Sequence, residues 1–327
     1  MRERRFVGQA AFALLSVLLV GFACRWFDTD WTPLVVLAAL WPVVVLVGAL
    51  GLALAAAARW WRTTAAAAAL VLAASCAEAP IWFGSADPGG HRLAVAQANL
   101  YMGKADPAAF VRQVRDLRPD VLTLNELNPD ELAALRAAGL DEILPYSYTL
   151  PGLVRVGTTE LYTACETAIF SRHPLSGQGE FKQPGGGGFV NHALTALAQT
   201  PWGQVRVVAV HTLAVWTTVL RNTGWAYELK LLAALLPLLP RDERVVVAGD
   251  LNATYDHAAF RALLADGYAD AGAQAGAGIV PTWEQGTAKQ LFEIDHVLTR
   301  NGTGTGFRSF PIQGSDHLGV VATVAFS

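Results

Sequence analysis

Hydrophobic positions are distributed in two unlike patterns along the chain, and the change falls near Gly84. Before it, apolar residues run almost without interruption through Val7 to Cys24, Leu34 to Ala58 and Thr63 to Phe83. At about 1.5 Å per residue, helices of this length match a bilayer core of about 30 Å. From Arg92 onward the apolar runs are short and separated by polar turns. Leu93 to Ala98, Val121 to Leu124, Thr167 to Phe170, Arg244 to Ala248, Ile294 to Leu298 and Val320 to Ala325 predict strands. Ala193 to Gln199 and Val205 to Val210 predict a hairpin about Pro201, Trp202 and Gly203. Pro107 to Leu117 sets Phe110, Val114 and Leu117 on one helical face, and Trp225 to Leu239 and His257 to Leu264 also read as helices.

This pattern predicts three transmembrane helices at about 7–24, 34–58 and 63–83, a linker at 85–91 and a globular domain at 92–327. Trp31, Trp60 and Trp61 suit the interfacial belt around the second stretch. The third is Ala-rich and carries Thr63, Thr64, Ser75 and Glu78. Arg2, Arg4, Arg5, Arg59 and Arg62 lie on one side after two crossings, so the positive-inside rule puts the globular domain outside the cytoplasm of a multi-pass membrane protein. A signal peptide is the rival reading of the first stretch, but two more apolar stretches follow it. The lipid bilayer is thus the one expected partner besides substrate. No pattern points to a protein partner.

Charge narrows the class. Residues 91–327 hold 18 Lys and Arg against 22 Asp and Glu, with no basic stripe of the kind that supplies duplex affinity through phosphate neutralisation. Cys165 is alone in the globular part, so no disulfide or Cys/His zinc cluster is expected there.

The candidate chemistry sits at strand ends. Asn99, Glu126, His211 and Asp250 each close an apolar run, and Asn252 and Asp295 lie close to others. Strand termini on a rigid sheet are where functional groups concentrate. Taken alone, Gly249-Asp250-Leu251-Asn252 also reads as a plain turn. Carboxylate and amide oxygens suit a hard cation such as Mg2+ or Mn2+, which would neutralise a phosphate, while histidines and amides would donate to its oxygens.

The segments QANLYMG (97–103), PDVLTLNEL (119–127), AIFSRHPL (168–175), VVAVHT (207–212), VVVAGDLNAT (245–254), IDHVL (294–298) and GSDHLGV (314–320) together resemble the endonuclease/exonuclease/phosphatase superfamily. The resemblance implies an α/β fold, a four-layer α/β sandwich of DNase I-like type behind the membrane helices, and metal-dependent hydrolysis of a phosphate ester. It implies Glu126 as principal metal ligand, with Asn99 and Asp316 completing or flanking the site. Asp250 would orient or deprotonate the attacking water, Asn252 would hold the phosphate, His211 and His317 would stabilise the transition state, and Asp295 would orient His317. Glu166 lies where some members pair a glutamate with the first histidine. Asn125 replaces a more usual Gln, and Asn191 and His192 stand where Arg is common. Nucleic acid is the leading substrate expectation and a phospholipid or other phosphoester the alternative. An inactive scaffold on the same fold is the reading from another class.

Overall fold

The computed structural model describes residues 2–327 except 28, 30, 151–152, 157–158, 163–165, 184–187, 216–223 and 286–287, and it leaves the side chains of 2–3, 153–156, 159–162, 166, 284–285 and 288–291 undescribed. The apolar N-terminal part forms α1 (Arg2–Trp26), α2 (Thr32–Ala39), α3 (Trp41–Ala57), α4 (Trp61–Cys76) and α5 (Ala79–Trp82). Three full spans were the expectation, and the helices correct it. Among the described residues one helix, Arg4–Trp26, is long and apolar enough to cross a membrane by itself. The second stretch is bent by 75° between α2 and α3. Pro42, in the first turn of α3, has no N–H to continue the ladder from α2. In the third stretch α4 has only 16 residues, about 24 Å, short of the hydrocarbon thickness.

These helices are docked on the globular part. Arg25 lies 3.2 Å from Asp256 and 3.3 Å from Glu78, His257 Nε2 meets the Val35 carbonyl at 3.0 Å, and Gly278 N–H donates to the Ile81 carbonyl at 2.8 Å. Val35 is itself part of an apolar core shared with the globular domain.

The globular part alternates strands β1 (His91–Asn99), β2 (Val121–Leu127), β3 (Tyr146–Thr149), β4 (Leu153–Val156), β5 (Thr159–Tyr162), β6 (Glu166–Ser171), β7 (Leu175–Glu180), β8 (Leu194–Thr200), β9 (Gly203–His211), β10 (Arg244–Asp250), β11 (Tyr268–Asp270), β12 (Trp283–Gln285), β13 (Ala288–Phe292), β14 (Asp295–Arg300), β15 (Thr303–Pro311) and β16 (Leu318–Phe326). Between them lie α6 (Pro107–Leu117), α7 (Pro129–Ala137), α8 (Leu140–Ile143), α9 (Trp225–Leu235), α10 (Ala258–Ala262) and α11 (Ala271–Ala275). Local chemistry sets the ends of α6. The Asp106 carboxylate accepts from Ala109 N–H at 2.8 Å, Pro107 opens the first turn, and Arg118 closes it at φ 50°.

Two six-stranded sheets result, ordered β15-β16-β1-β2-β6-β3 and β11-β14-β10-β9-β8-β7. Each contains a parallel pair, β1 with β2 and β9 with β10, flanked by antiparallel strands. Alternation along each strand separates its two faces. Val95, Val121, Val207, Val246 and Val297 meet between the sheets. Ala98, Leu122 and Phe170 pack under Phe110 and Val114 of α6, while Val208, Val245 and Val247 pack under Leu229 and Leu232 of α9. The order is helix, sheet, sheet, helix: a mixed α/β two-sheet sandwich.

Candidate active site

The two parallel pairs end at the same edge of the sandwich. Asn99 sits beside Asn125 at the end of β1 and β2, and His211 sits beside Asp250 at the end of β9 and β10. Antiparallel β14 then brings Asp295 opposite Asp250. Two backbone distortions aim side chains into the cleft between these ends. The β2–β6 register shifts between Leu124 and Leu127, and Glu126 within this bulge has φ 55°. Asn252 has φ 47° just past β10. Gly249 answers a steric need, since a Cβ there would lie 1.7 Å from the Val210 carbonyl oxygen.

Hydrogen bonds join the groups into one network. Asn99 Nδ2 donates to Glu126 Oε1 at 3.1 Å and to Asp250 Oδ2 at 3.0 Å, and its Oδ1 accepts from Tyr101 N–H at 2.9 Å. His317 Nδ1 lies 2.9 Å from Asp295 Oδ2, and its Nε2 is 3.6 Å from Asp250 Oδ2. His211 Nε2 approaches the same Asp250 oxygen at 3.7 Å and Glu126 Oε1 at 3.9 Å. Asn252 N–H donates to Asp250 Oδ1 at 2.8 Å, and its side-chain amide donates to the Thr212 carbonyl at 2.9 Å. Asp250 therefore stands at the centre, faced by two imidazoles.

The electrostatics follow from burial and from this crowding. Burial, then the Asp295 charge, push the Asp250 carboxyl up to about 7, against the His317 charge and the hydrogen bonds from Asn252 and Asn99. Burial would lower His317, but Asp295 and Asp250 outweigh it and raise the ring to about 10. His211 is pushed down to about 4 by burial, then by the nearby His317 charge. At neutral pH His317 is thus a cation and His211 a neutral ring. Asn191 Nδ2 lies 3.2 Å from His211 Nδ1 and donates to it, which leaves the ring hydrogen on Nε2, facing the cleft.

A divalent cation fits the acidic side of this cleft. Burial raises Glu126 and Asp316, and among the described residues neither forms an ion pair with Lys or Arg. Asp316 Oδ1 is buried without a hydrogen-bond partner. A cation between such oxygens offsets the cost of burying them as anions. Asp250, Asp295 and His317 also have ligand atoms within 4.8 Å of one another. An imidazolium bound to Asp295 has no lone pair to give, so that group reads as a hydrogen-bonded chain.

All the expected residues from Asn99 to His317 whose side chains are described thus converge on this edge, Asp316 beside Glu126 and His317. Glu166 begins β6, but its side chain lies outside the described residues, as do Cys165, most of the glycine tract 185–188 and the loop 216–223. His173, His192 and His257 pair elsewhere, with Asp120, Glu180 and the Thr254 and Val35 backbones. Trp283 bonds the Asp316 carboxylate through its side chain and packs on Phe292.

Sequence reasoning missed several supports. Asn125 Oδ1 accepts from Gln97 Nε2 at 3.0 Å and from the Asp250 N–H at 2.9 Å, tying the two sheets together. Glu228, buried on α9, accepts from Val190 and Leu213 N–H at 2.8 and 2.7 Å and so fixes the turns beside Asn191 and His211. Its signal was an acid on an otherwise apolar helix face. Ser315 Oγ donates to the Asn99 carbonyl at 2.8 Å and accepts from His317 N–H at 3.0 Å, and Thr282 Oγ1 accepts from Asp295 N–H at 3.1 Å.

A family described as Endonuclease/Exonuclease/phosphatase matches residues 96–317, and the chain belongs to that family. Its members are phosphoester hydrolases. No curated protein sequence matches the chain significantly. Among solved structures it is similar to an endonuclease/exonuclease/phosphatase from Beutenbergia cavernae DSM 12333, with 21% identity, TM-score 0.55, and 72% of each chain covered. It is also similar to D. rerio TDP2 complexed with a single-strand DNA product, with 18% identity, TM-score 0.55, and 71% of this chain and 98% of that one covered. A third is sphingomyelinase C from Streptomyces griseocarneus, with 17% identity, TM-score 0.53, and 72% of this chain and 99% of that one covered. At these identities the likeness is one of fold.

Proposed function

We propose that this chain hydrolyses a phosphate ester with the help of a divalent cation, Mg2+ or Mn2+, held by Glu126 with Asp316 and Asn99 alongside. The observation that carries the reading is Asp250, an acid with pKa near 7, set 3.6 and 3.7 Å from the Nε2 atoms of His317 and His211. When bound, the cation neutralises phosphate charge and polarises the phosphorus centre. Asp250 holds a water through its carboxylate and takes its proton as the water oxygen attacks phosphorus and the ester oxygen leaves. The His317 imidazolium and the His211 Nε2–H donate to the non-bridging oxygens, where negative charge grows. Asn252 holds the phosphate, and Asp295 keeps the His317 ring oriented and charged.

Two substrate classes share this chemistry, nucleic acid and a lipid or other phosphoester. The acidic balance of residues 91–327 and the lack of a basic stripe count against duplex binding. The apolar helix Arg4–Trp26 supports attachment to a membrane. The test is hydrolysis of bis(p-nitrophenyl) phosphate by the full chain with Mg2+ or Mn2+, with and without EDTA. We expect turnover that needs the cation and disappears in Glu126→Gln. A folded wild-type chain inert towards phosphodiesters with either cation makes this a scaffold.

A further inference from the structure

Beside the catalytic cleft, sharing Asn252 with it, lies an apolar cleft. Val215, Trp283, Phe292 and Ile294 of the globular domain line one side, and Val36 and Ala39 of α2 line the other. Two of its lining residues also touch the site: Asn252, whose N–H binds Asp250, and Trp283, whose side chain binds Asp316. Its far wall belongs to the bent α2–α3 pair, the segment of the chain most apolar in character. Val36 remains 41% exposed there. This wall is held in place, because His257 Nε2 meets the Val35 carbonyl at 3.0 Å and Arg25 pairs with Asp256 two residues after Thr254.

A cleft that is polar at the reacting end and apolar along its length, with one wall contributed by the apolar helix α2, suits an amphipathic molecule. Nucleotides have no long hydrocarbon to bury there. We infer that the substrate is a membrane-lipid phosphoester, whose hydrocarbon chain lies between α2 and the Trp283–Phe292 pair while its phosphate reaches Asp250 and Glu126. The N-terminal helices are then a wall of the substrate site as well as an anchor. This inference rests on the hydrolase reading above.

The test uses the full chain in amphipol with Mg2+ and p-nitrophenyl phosphodiesters carrying methyl, butyl, hexyl or octyl groups, each below its micelle concentration. Burial of a methylene is worth about a fourfold gain, so kcat/KM should rise by about that factor per carbon until the cleft is filled. Val36→Trp, which fills the cleft from the α2 side, should flatten the series. Ala39→Leu should shorten the chain length at which it levels off. A flat series in the wild type, with the methyl ester still hydrolysed in a Glu126-dependent manner, overturns the lipid inference and leaves the hydrolase intact. A kcat/KM for single- or double-stranded oligonucleotides above that for the octyl ester, falling steeply with salt, also overturns it. Failure to hydrolyse any member removes both readings together.

Discussion

Two carboxylate–histidine clusters lie on opposite faces of β14, one residue apart, and they do different things. On one face Asp295 holds His317 Nδ1 at 2.9 Å, and the other ring nitrogen looks into the cleft at Asp250. On the other face Asp270 holds His296 Nδ1 at 3.1 Å, the Ala253 carbonyl takes Nε2 at 2.9 Å, and the ring packs against Phe260 at 4.3 Å. Neither charge nor burial separates them. His317 is raised to about 10 and His296 to about 9, each against burial, by carboxylates beside it. What separates them is a spare donor. His296 has both nitrogens committed inside the protein, while His317 keeps one for a ligand. A grouping of Asp270, Glu293 and His296 that resembles a metal site by distance is therefore a closed internal ion pair.

The comparison can be broken by asking which cluster fails in which assay. His317→Gln should lower kcat/KM by about 10^3-fold per folded molecule, the cost of losing a donor to developing charge, and it should also lower urea stability, because buried Asp295 loses its cation. Should activity survive, the free nitrogen has no catalytic meaning. His296→Leu should spare the chemistry, since both of its ring nitrogens are committed inside the protein. Leaving the buried Asp270 carboxylate without its cation should cost about 3 kcal/mol in urea unfolding, while turnover per folded molecule is retained. The smallest effect sharpens the picture. Asp295→Asn should lower kcat by about tenfold to a hundredfold. It should also move the alkaline limb of the pH–rate profile. The wild type loses its imidazolium as pH rises through about 10, and without the carboxylate that holds the proton this loss should begin at lower pH. An unmoved limb would detach it from His317.

The strand-end residues were legible because a strand has a period of two and an apolar run has a visible end. The α6 boundaries matched for the same kind of reason, with Asp106-Pro107 starting the helix. Short or weakly apolar strands such as β3, β7 and β15 gave too little pattern to see. What decides the finer geometry is contact between residues far apart in sequence. Asn125 meets the Asp250 N–H across 125 positions, and Val35 joins a core with α9, more than 180 residues later. Neither leaves a local periodicity. The second apolar stretch looked like one span because hydropathy is blind to backbone direction, and only Pro42 hinted at the bend. Its docking against the cleft was invisible for the same reason.

Glu126 sits at φ 55°, a backbone state that costs a side-chain-bearing residue about 1 kcal/mol or more and that glycine adopts freely. Its carboxylate is also raised by burial, so folding and function pull on this position in opposite directions. A library of this protein sorted only for thermal resistance would be drawn toward glycine at 126 and would discard the group proposed to hold the cation. Selection for durability here has to be run with a turnover screen beside it, or the hardiest survivors will be inert.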